Sequence, residues 1–384
     1  MYIKRIVLNH FRNYSQIDVN FGLNRIYITG NNGIGKTNVL EAIYYLTLGR
    51  SFRKADDKAL IQNGQNEASI YLEYFSEKDN KDHHLSCVIN SSYKAFAFDD
   101  EKVKSLSQIL GKLIAVYYEP SLVFFFKDEP EQRRKLLDET CSQLSSQYLF
   151  AIGRYKKLLK ERNTALQQDY DPDVLDVMRN QLINLSYRIV KDRKDAIKKL
   201  SKSATDYYQK LFGEEGHNFS LTYKTSCPLD DDQESFIKHS IELFQKNQSM
   251  ENMRKVTVLG PHRDDLMGKL SGNSLASYGS QGENRIASLS LKMAVLDLLS
   301  DALGVRPLLL LDDITSDLDE KRCKNLLSCI NMENQQVFVT GTKIPDGFND
   351  YQIYTSNGNE LTKGESEQWA KKSKKNSLMK KNAL

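Results

Sequence analysis

The chain has 384 residues, 40% of them hydrophobic and 27% charged, with a formal net charge of +4. That length exceeds one small core and predicts two or three folding units, while no apolar run approaches the roughly 18 residues a membrane span needs. Five cysteines (Cys87, Cys141, Cys227, Cys323, Cys329) without a C-x-x-C pair argue against a disulfide framework or a zinc site and for reduced cytosolic thiols. The small net charge leaves a polyanionic partner open, because a balanced surface can still carry one basic face.

Met1 to Leu8 alternates like a strand and lacks the long apolar region of a signal peptide. Phe11-Arg12-Asn13-Tyr14 follows, then Ile17, Val19 and Phe21 alternate, so Arg12 and Asn13 sit where a hairpin would close. Ile26 to Thr29 reads as a buried strand entering Gly30-Asn31-Asn32-Gly33-Ile34-Gly35-Lys36-Thr37, and Val39, Leu40, Ile43 and Leu46 leave it at helical spacing. Strand, glycine loop and helix together form a phosphate-binding loop. Its glycines allow positive φ and close approach of N–H groups to phosphate oxygens, and the helix N-terminus adds partial positive charge. Lys36 supplies an ammonium for β- and γ-phosphates, and the Thr37 hydroxyl is placed to ligate Mg²⁺.

Further strands are predicted at Ser69 to Tyr74, Leu85 to Ile89 and Lys112 to Tyr118, giving a mixed α/β lobe over residues 1–118. Phe124, Phe125 and Phe126 read as buried packing. From Leu144 to Phe212 the spacing is helical, with a turn at Asp171-Pro172 and a charged turn between Ile189 and Ile197. This arm, placed at 119–255, is basic through Lys156, Lys157, Lys160, Arg188, Lys191, Arg193, Lys194, Lys198, Lys199 and Lys202. Those charges form either a solvated face or a nucleic-acid or partner surface.

A second lobe is placed at 256–363. A short strand, Val256 to Leu259, leads into the polar turn Gly260 to Asp265, where His262 reads as structural. Ser280, Gln281 and Gly282 open a helix whose Ile286, Leu289, Met293, Leu296 and Leu299 share a face, offering either a second anion-binding geometry or a plain cap. Pro307 to Leu311 is a continuous apolar strand ending in Asp312 and Asp313, the pattern of a parallel strand whose C-terminal end meets a ligand. Asp312 is expected to serve Mg²⁺ and Asp313 the attacking water. Ser316 to Asp319 follows, then a helix over Arg322 to Met332 and a last core strand, Val337 to Thr340. The lysine pairs in 364–384 predict a disordered basic tail.

The order of phosphate loop, helical arm, Ser-Gln-Gly helix and Leu-run-Asp-Asp resembles the ATPase heads of the ABC class, in particular their SMC-like branch. Phe11 to Tyr14, Gly30 to Arg53, Gly260 to Leu266 and Tyr278 to Asp319 bring it closest to the RecF family of bacterial recombination-repair proteins. The resemblance implies an α/β, ABC/SMC-like P-loop ATPase head of two lobes with an inserted, mainly helical domain. It implies ATP and Mg²⁺ as cofactors, with Gly30 to Thr37 on the nucleotide, Arg12 and Asn13 touching it, Thr37 and Asp312 on the metal, and Asp313 as hydrolytic carboxylate. It also implies that Ser280, Gln281 and Gly282 act in trans on the ATP of a second subunit.

The resemblance further implies a slow DNA-stimulated ATPase and an ATP-driven dimer clamp on duplex DNA and single-strand/duplex junctions. Such a clamp would act with RecO- and RecR-like partners in cytoplasmic DNA repair, replication restart and the SOS response. Pro120-Ser121-Leu122 lacks the acid usual after that proline, and Asp317 stands where Glu is commoner. Competing readings are an ATP-gated DNA-binding scaffold with negligible hydrolysis and the motor subunit of a transporter. Thr340, where transporter ATPases carry a switch histidine, disfavours the second.

Overall fold

The structure is a computed structural model describing residues 1–22, 25–53, 55–213, 218–227, 232–314, 318, 320–330, 335–345, 348 and 350–364. Ser316, Asp317, Asp319 and the lysine-rich tail from 365 onward lie outside the described residues. The first stretch holds β1 (Tyr2–Phe11), β2 (Tyr14–Asn20), β3 (Arg25–Thr29), α1 (Lys36–Leu48), β4 (Glu67–Ser76), β5 (Lys81–Asn90), β6 (Lys94–Phe98), β7 (Glu101–Lys102) and β8 (Ala115–Tyr118). Next come α2 (Pro130–Leu144), α3 (Ser146–Gln167), α4 (Pro172–Phe212), β9 (Phe219–Lys224), α5 (Gln233–Lys246), α6 (Gln248–Arg254), β10 (Asp265–Leu270), β11 (Asn273–Ser274), α7 (Leu275–Tyr278) and α8 (Gln281–Leu303). The chain ends with β12 (Leu308–Leu311), α9 (Glu320–Cys329), β13 (Val337–Gly341), β14 (Gln352–Ser356) and β15 (Leu361–Lys363).

Contacts divide the chain into Met1–Pro120 with Leu303–Leu384, and Ser121–Ala302. The second boundary differs from the 255/256 expected from sequence. Residues 256–302 group with the helices because β10 pairs antiparallel with β9, which follows α4 directly.

In the first unit, β2-β1-β4-β5-β6-β7 form one six-stranded sheet, and β15-β14-β3-β13-β12-β8 form a second. Strands β14, β3, β13, β12 and β8 run parallel, and Leu308 to Leu311 are all buried, as a strand covered on both faces must be. Register places Leu311 beside Tyr118 and Val339, and Thr340 beside Ile28. The C-terminal ends of β3, β8, β12 and β13 therefore open on one rim, the usual place for a ligand in such sheets. Val337–Gly341 is not the last core strand, because β14 adds on the far side of β3.

The second unit is built on α3 and α4. Asp171 caps α4 by accepting from the Asp173 N–H at 2.8 Å, with Pro172 in the first turn, and Gly213 ends the helix at φ 76°. The charged turn expected between Ile189 and Ile197 is absent: the helix runs unbroken, Arg188 pairs with Asp192 at 2.6 Å, and Arg193 is buried.

Val256 to Leu259 is not a strand. Its polar groups bond to side chains instead: Thr257 N–H donates to Asn163 at 2.8 Å, and Val258 N–H donates to Glu251 at 3.0 Å. Phe125 and Phe126 are buried as expected, whereas Phe124 is 45% exposed. Among the described residues no helix is long and apolar enough to cross a membrane.

Candidate nucleotide-binding site

The chain enters the site from β3 and leaves it along α1. Between them Gly33 and Gly35 take φ values of 77° and 109°, conformations an L-residue side chain disfavours. A Cβ at Gly35 would also come within 2.5 Å of the Asn13 amide. Asn31, Asn32 and Gly33 are exposed at the loop crest, and Ile34 is half-buried. The Lys36 ammonium donates to the Gly30 and Asn31 carbonyls, each at 2.8 Å. Burial lowers its pKa, against the opposing pull of the Asp313 and Asp312 charges.

Asp312 leaves the end of β12 and is 7% exposed. Its Oδ1 accepts from the Thr37 hydroxyl at 2.9 Å and the Thr340 hydroxyl at 2.6 Å. The hydrogen bond from Thr37, which like Asp312 is expected on the metal, thus joins two segments 275 positions apart. Thr340 Oγ1 in turn accepts from the Asp313 N–H at 2.9 Å. Asp313 has φ 44°, a left-handed bend that turns the backbone out of the strand direction. Thr340 thus holds the Asp312 carboxylate and the Asp313 main chain together.

Arg12 and Asn13 form the turn of the β1–β2 hairpin, with Arg12 at φ 57°. Both line a cleft of about 720 Å³ that also meets Gly33, Lys36, Thr37 and Arg53. Their polar groups already bind protein. The Asn13 amide N–H₂ donates to Ile34 O at 2.7 Å and Gly358 O at 2.9 Å, and its oxygen accepts from Asn38 at 2.5 Å. This bracing holds the loop between the first hairpin and the β14–β15 turn.

Arg12 donates Nε and one Nη to the two oxygens of Glu41, at 2.9 and 2.6 Å. Glu41 is fully buried and also accepts from Ser51 at 2.5 Å and Arg53 at 3.3 Å. A buried carboxylate needs such partners. Sequence reading missed Glu41, although a lone acid among Val39, Leu40, Ala42 and Ile43 is itself a signal that charged groups converge there.

Ser280, Gln281 and Gly282 lie in the unit Ser121–Ala302, whereas the phosphate loop and both aspartates lie in the other. Ser280 and Gln281 are exposed. Ser280 Oγ accepts from the Glu283 N–H at 3.2 Å while the Glu283 carboxylate accepts from the Ser280 N–H at 2.7 Å, a reciprocal cap on α8. Ile286, Leu289, Met293, Leu296 and Leu299 are all buried.

His262 is structural: its ring bonds to the Tyr155 hydroxyl at 2.7 Å and Thr257 O at 3.0 Å, and burial drives its pKa down to about 4. Asp264 is buried and accepts from the Tyr223 hydroxyl and the Ser226 N–H. Of the arm's basic residues, Lys194, Lys198, Lys199 and Lys202 are exposed, whereas Arg193 is core. Among the described residues no cluster of three or more His, Cys, Asp or Glu is disposed to hold a metal. Mg²⁺ beside phosphates asks for less, since one carboxylate and one hydroxyl suffice when phosphate and water oxygens complete the octahedron.

The family described as RecF/RecN/SMC N terminal domain matches residues 2–346. The DNA replication and repair protein RecF of Clostridium tetani is 35% identical over 352 residues, 90% of this chain and 94% of that one. RecF of Halalkalibacterium halodurans is 36% identical over 376 residues, covering 95% and 98%. A solved structure of the recombination mediator protein RecF with ATP, of the RecFOR pathway, superposes with TM-score 0.87 at 27% identity, covering 95% of this chain and 98% of that one. An Smc head bound to the C-winged helix domain of ScpA shares the fold at TM-score 0.57 and 16% identity, covering 97% of this chain and 100% of that one. The chain belongs to the RecF family of DNA replication and repair proteins, with the ABC/SMC-like ATPase head fold.

Proposed function

We propose that the cleft binds ATP with Mg²⁺, and that ATP joins two copies of the chain into a clamp on DNA. The clamp helps recombinase loading at gaps with RecO- and RecR-like partners in the cytoplasm. The observation that carries this is the 2.9 Å hydrogen bond from Thr37 to Asp312, which brings the phosphate loop and the carboxylate strand into one donor set. The similar RecF structure with ATP supports the same nucleotide.

The residues present fit the cofactors. Gly30 to Thr37 would cradle the phosphates, Lys36 would neutralise the outer ones, and Thr37 with Asp312 would hold the metal, which supplies charge stabilisation as phosphate leaves. The Thr37 hydroxyl already donates its proton to Asp312, leaving its oxygen lone pairs to act as a metal ligand. Asp313 would orient and deprotonate water. Asp313→Asn should therefore keep Mg²⁺–ATP binding while slowing hydrolysis by about 100-fold or more, because an amide orients water but is a far poorer base. Phosphate release at the wild-type rate would remove Asp313 from that role.

DNA contact is assigned to backbone phosphates through exposed cations such as Lys198 and Lys199. Each neutralised phosphate contributes about −0.9 to the slope of log affinity against log salt, so a clamp using both copies should approach twice the slope of one. Titration of duplex DNA at several salt concentrations should give a steeper slope with a non-hydrolysable ATP analogue than with ADP. In Ser280→Arg, which blocks the exposed helix end, ATP binding should persist but the two slopes should coincide. Equal slopes in the wild type would reject the ATP-closed clamp.

A further inference from the structure

Asp312 has two oxygens, and the two threonine hydroxyls account for only one of them. Its Oδ2 accepts from the phenol of Tyr117 at 3.1 Å. Tyr117 is the penultimate residue of β8, 4% exposed, and its ring stacks on Phe52 with centroids 3.7 Å apart at an interplanar angle of 16°. Tyr44 packs against both rings, with centroids 5.6 Å from Phe52 and 5.8 Å from Tyr117. The phenol is thus held by a rigid aromatic cluster, on a strand hydrogen-bonded along its length to the one that delivers Asp312. A carboxylate turns about its last torsion unless both oxygens are engaged. Here Thr37 and Thr340 fix one oxygen and Tyr117 the other, so the plane of the carboxylate is set before any ligand arrives.

We propose that Tyr117 is a positioning residue for Asp312: its phenol aims the carboxylate and thereby sets the affinity of the cleft for the magnesium ion. Groups that orient a metal-binding carboxylate change metal affinity by about 10- to 100-fold when removed. Phenylalanine keeps the ring and its stack on Phe52 and takes away only the O–H. The sequence gives little sign of this, because Ala115 to Tyr118 reads as a plain apolar strand.

The proposal rests on the Mg²⁺–ATP reading of the cleft, and one titration separates the two. Binding of a fluorescent ATP analogue to the full chain is followed against Mg²⁺ concentration in wild type, Tyr117→Phe, Asp312→Ala and the double variant. The Mg²⁺ midpoint should rise about 10-fold or more in Tyr117→Phe with the same plateau at saturation. Adding Tyr117→Phe to Asp312→Ala should move the midpoint no further, since the carboxylate it aims is gone. The midpoint is a concentration read on the folded fraction, so a loss of stability does not imitate the shift. An unmoved midpoint, a lowered plateau without a midpoint shift, or a full additional shift in the Asp312→Ala background would each overturn the role of Tyr117. A wild type that shows no Mg²⁺-dependent binding would instead overturn the reading of the cleft.

Discussion

Replacing Lys36 with alanine should abolish ATP binding at concentrations that saturate the wild type. The ammonium sits at the start of α1, already directed over the loop by the Gly30 and Asn31 carbonyls at 2.8 Å, so it can pass to phosphate oxygens with little ordering cost. Two charge-assisted hydrogen bonds to phosphate contribute about 1.5 kcal/mol or more each, so their loss weakens binding by about 3 kcal/mol, roughly 100-fold. Folding should change little, because the ammonium bonds only to loop carbonyls next to solvent-exposed residues. Lys36→Arg keeps the charge but replaces a compact point charge with a planar fork, and should retain part of the affinity. Isothermal titration with ATP and Mg²⁺ checks both variants. Wild-type affinity in Lys36→Ala would mean that nucleotide does not occupy this loop.

The phosphate loop was legible because its demands are local. Glycines at positive φ, a strand before and a helix after are all fixed within some twenty residues, and Gly33, Gly35 and Lys36 stand where that logic puts them. Asp312 was legible for a similar reason: an unbroken leucine run must be a buried strand, and charge can appear only at its end. The partners of Asp312 were not legible, since Tyr117 and Thr340 reach it from strands 195 and 28 positions away. Sequence distance also hid the bracing of Asn13, whose amide meets Gly358 at a separation of 345 positions.

The arm was misjudged where charge was equated with solvent. Arg193 lies four residues after Ile189 and four before Ile197, on the apolar stripe of α4, yet its charge suggested a turn. Its register was the better guide to its burial. What a single helix cannot reveal is that α2 and the turn after Leu259 supply the opposite charges.

The second large effect follows from that burial. Arg193 is 1% exposed and donates to Asp138 Oδ1 at 2.8 Å, to Pro261 O at 2.8 Å and to the Tyr148 hydroxyl at 3.0 Å, with Asp264 3.7 Å away. Arg193→Met conserves bulk but leaves Asp138 with Lys156 as its cation and Asp264 with neutral donors such as Tyr223, Ser226 and Thr225. Removing one member of a buried ionic network costs about 3–5 kcal/mol, a large part of the 5–15 kcal/mol that holds a typical domain. The urea midpoint of the helical signal in far-ultraviolet circular dichroism should fall accordingly, whereas Lys198→Met, on the exposed face of the same helix, should shift stability by no more than about 0.5 kcal/mol. Acid should narrow the difference. Burial by itself would raise the Asp138 carboxyl, but Arg193 and Lys156 together hold it below the usual range. A depressed carboxyl stabilises the fold above its unfolded pKa and loses that contribution as the pH falls through the folded one. Burial holds the Asp264 carboxyl above the usual range, so the gap between wild type and Arg193→Met should be largest near neutral pH, begin to shrink above the ordinary aspartate range, and close as Asp138 too is protonated. A gap of less than about 1 kcal/mol at neutral pH, or one that widens in acid, would show that Arg193 is not what compensates the buried aspartates.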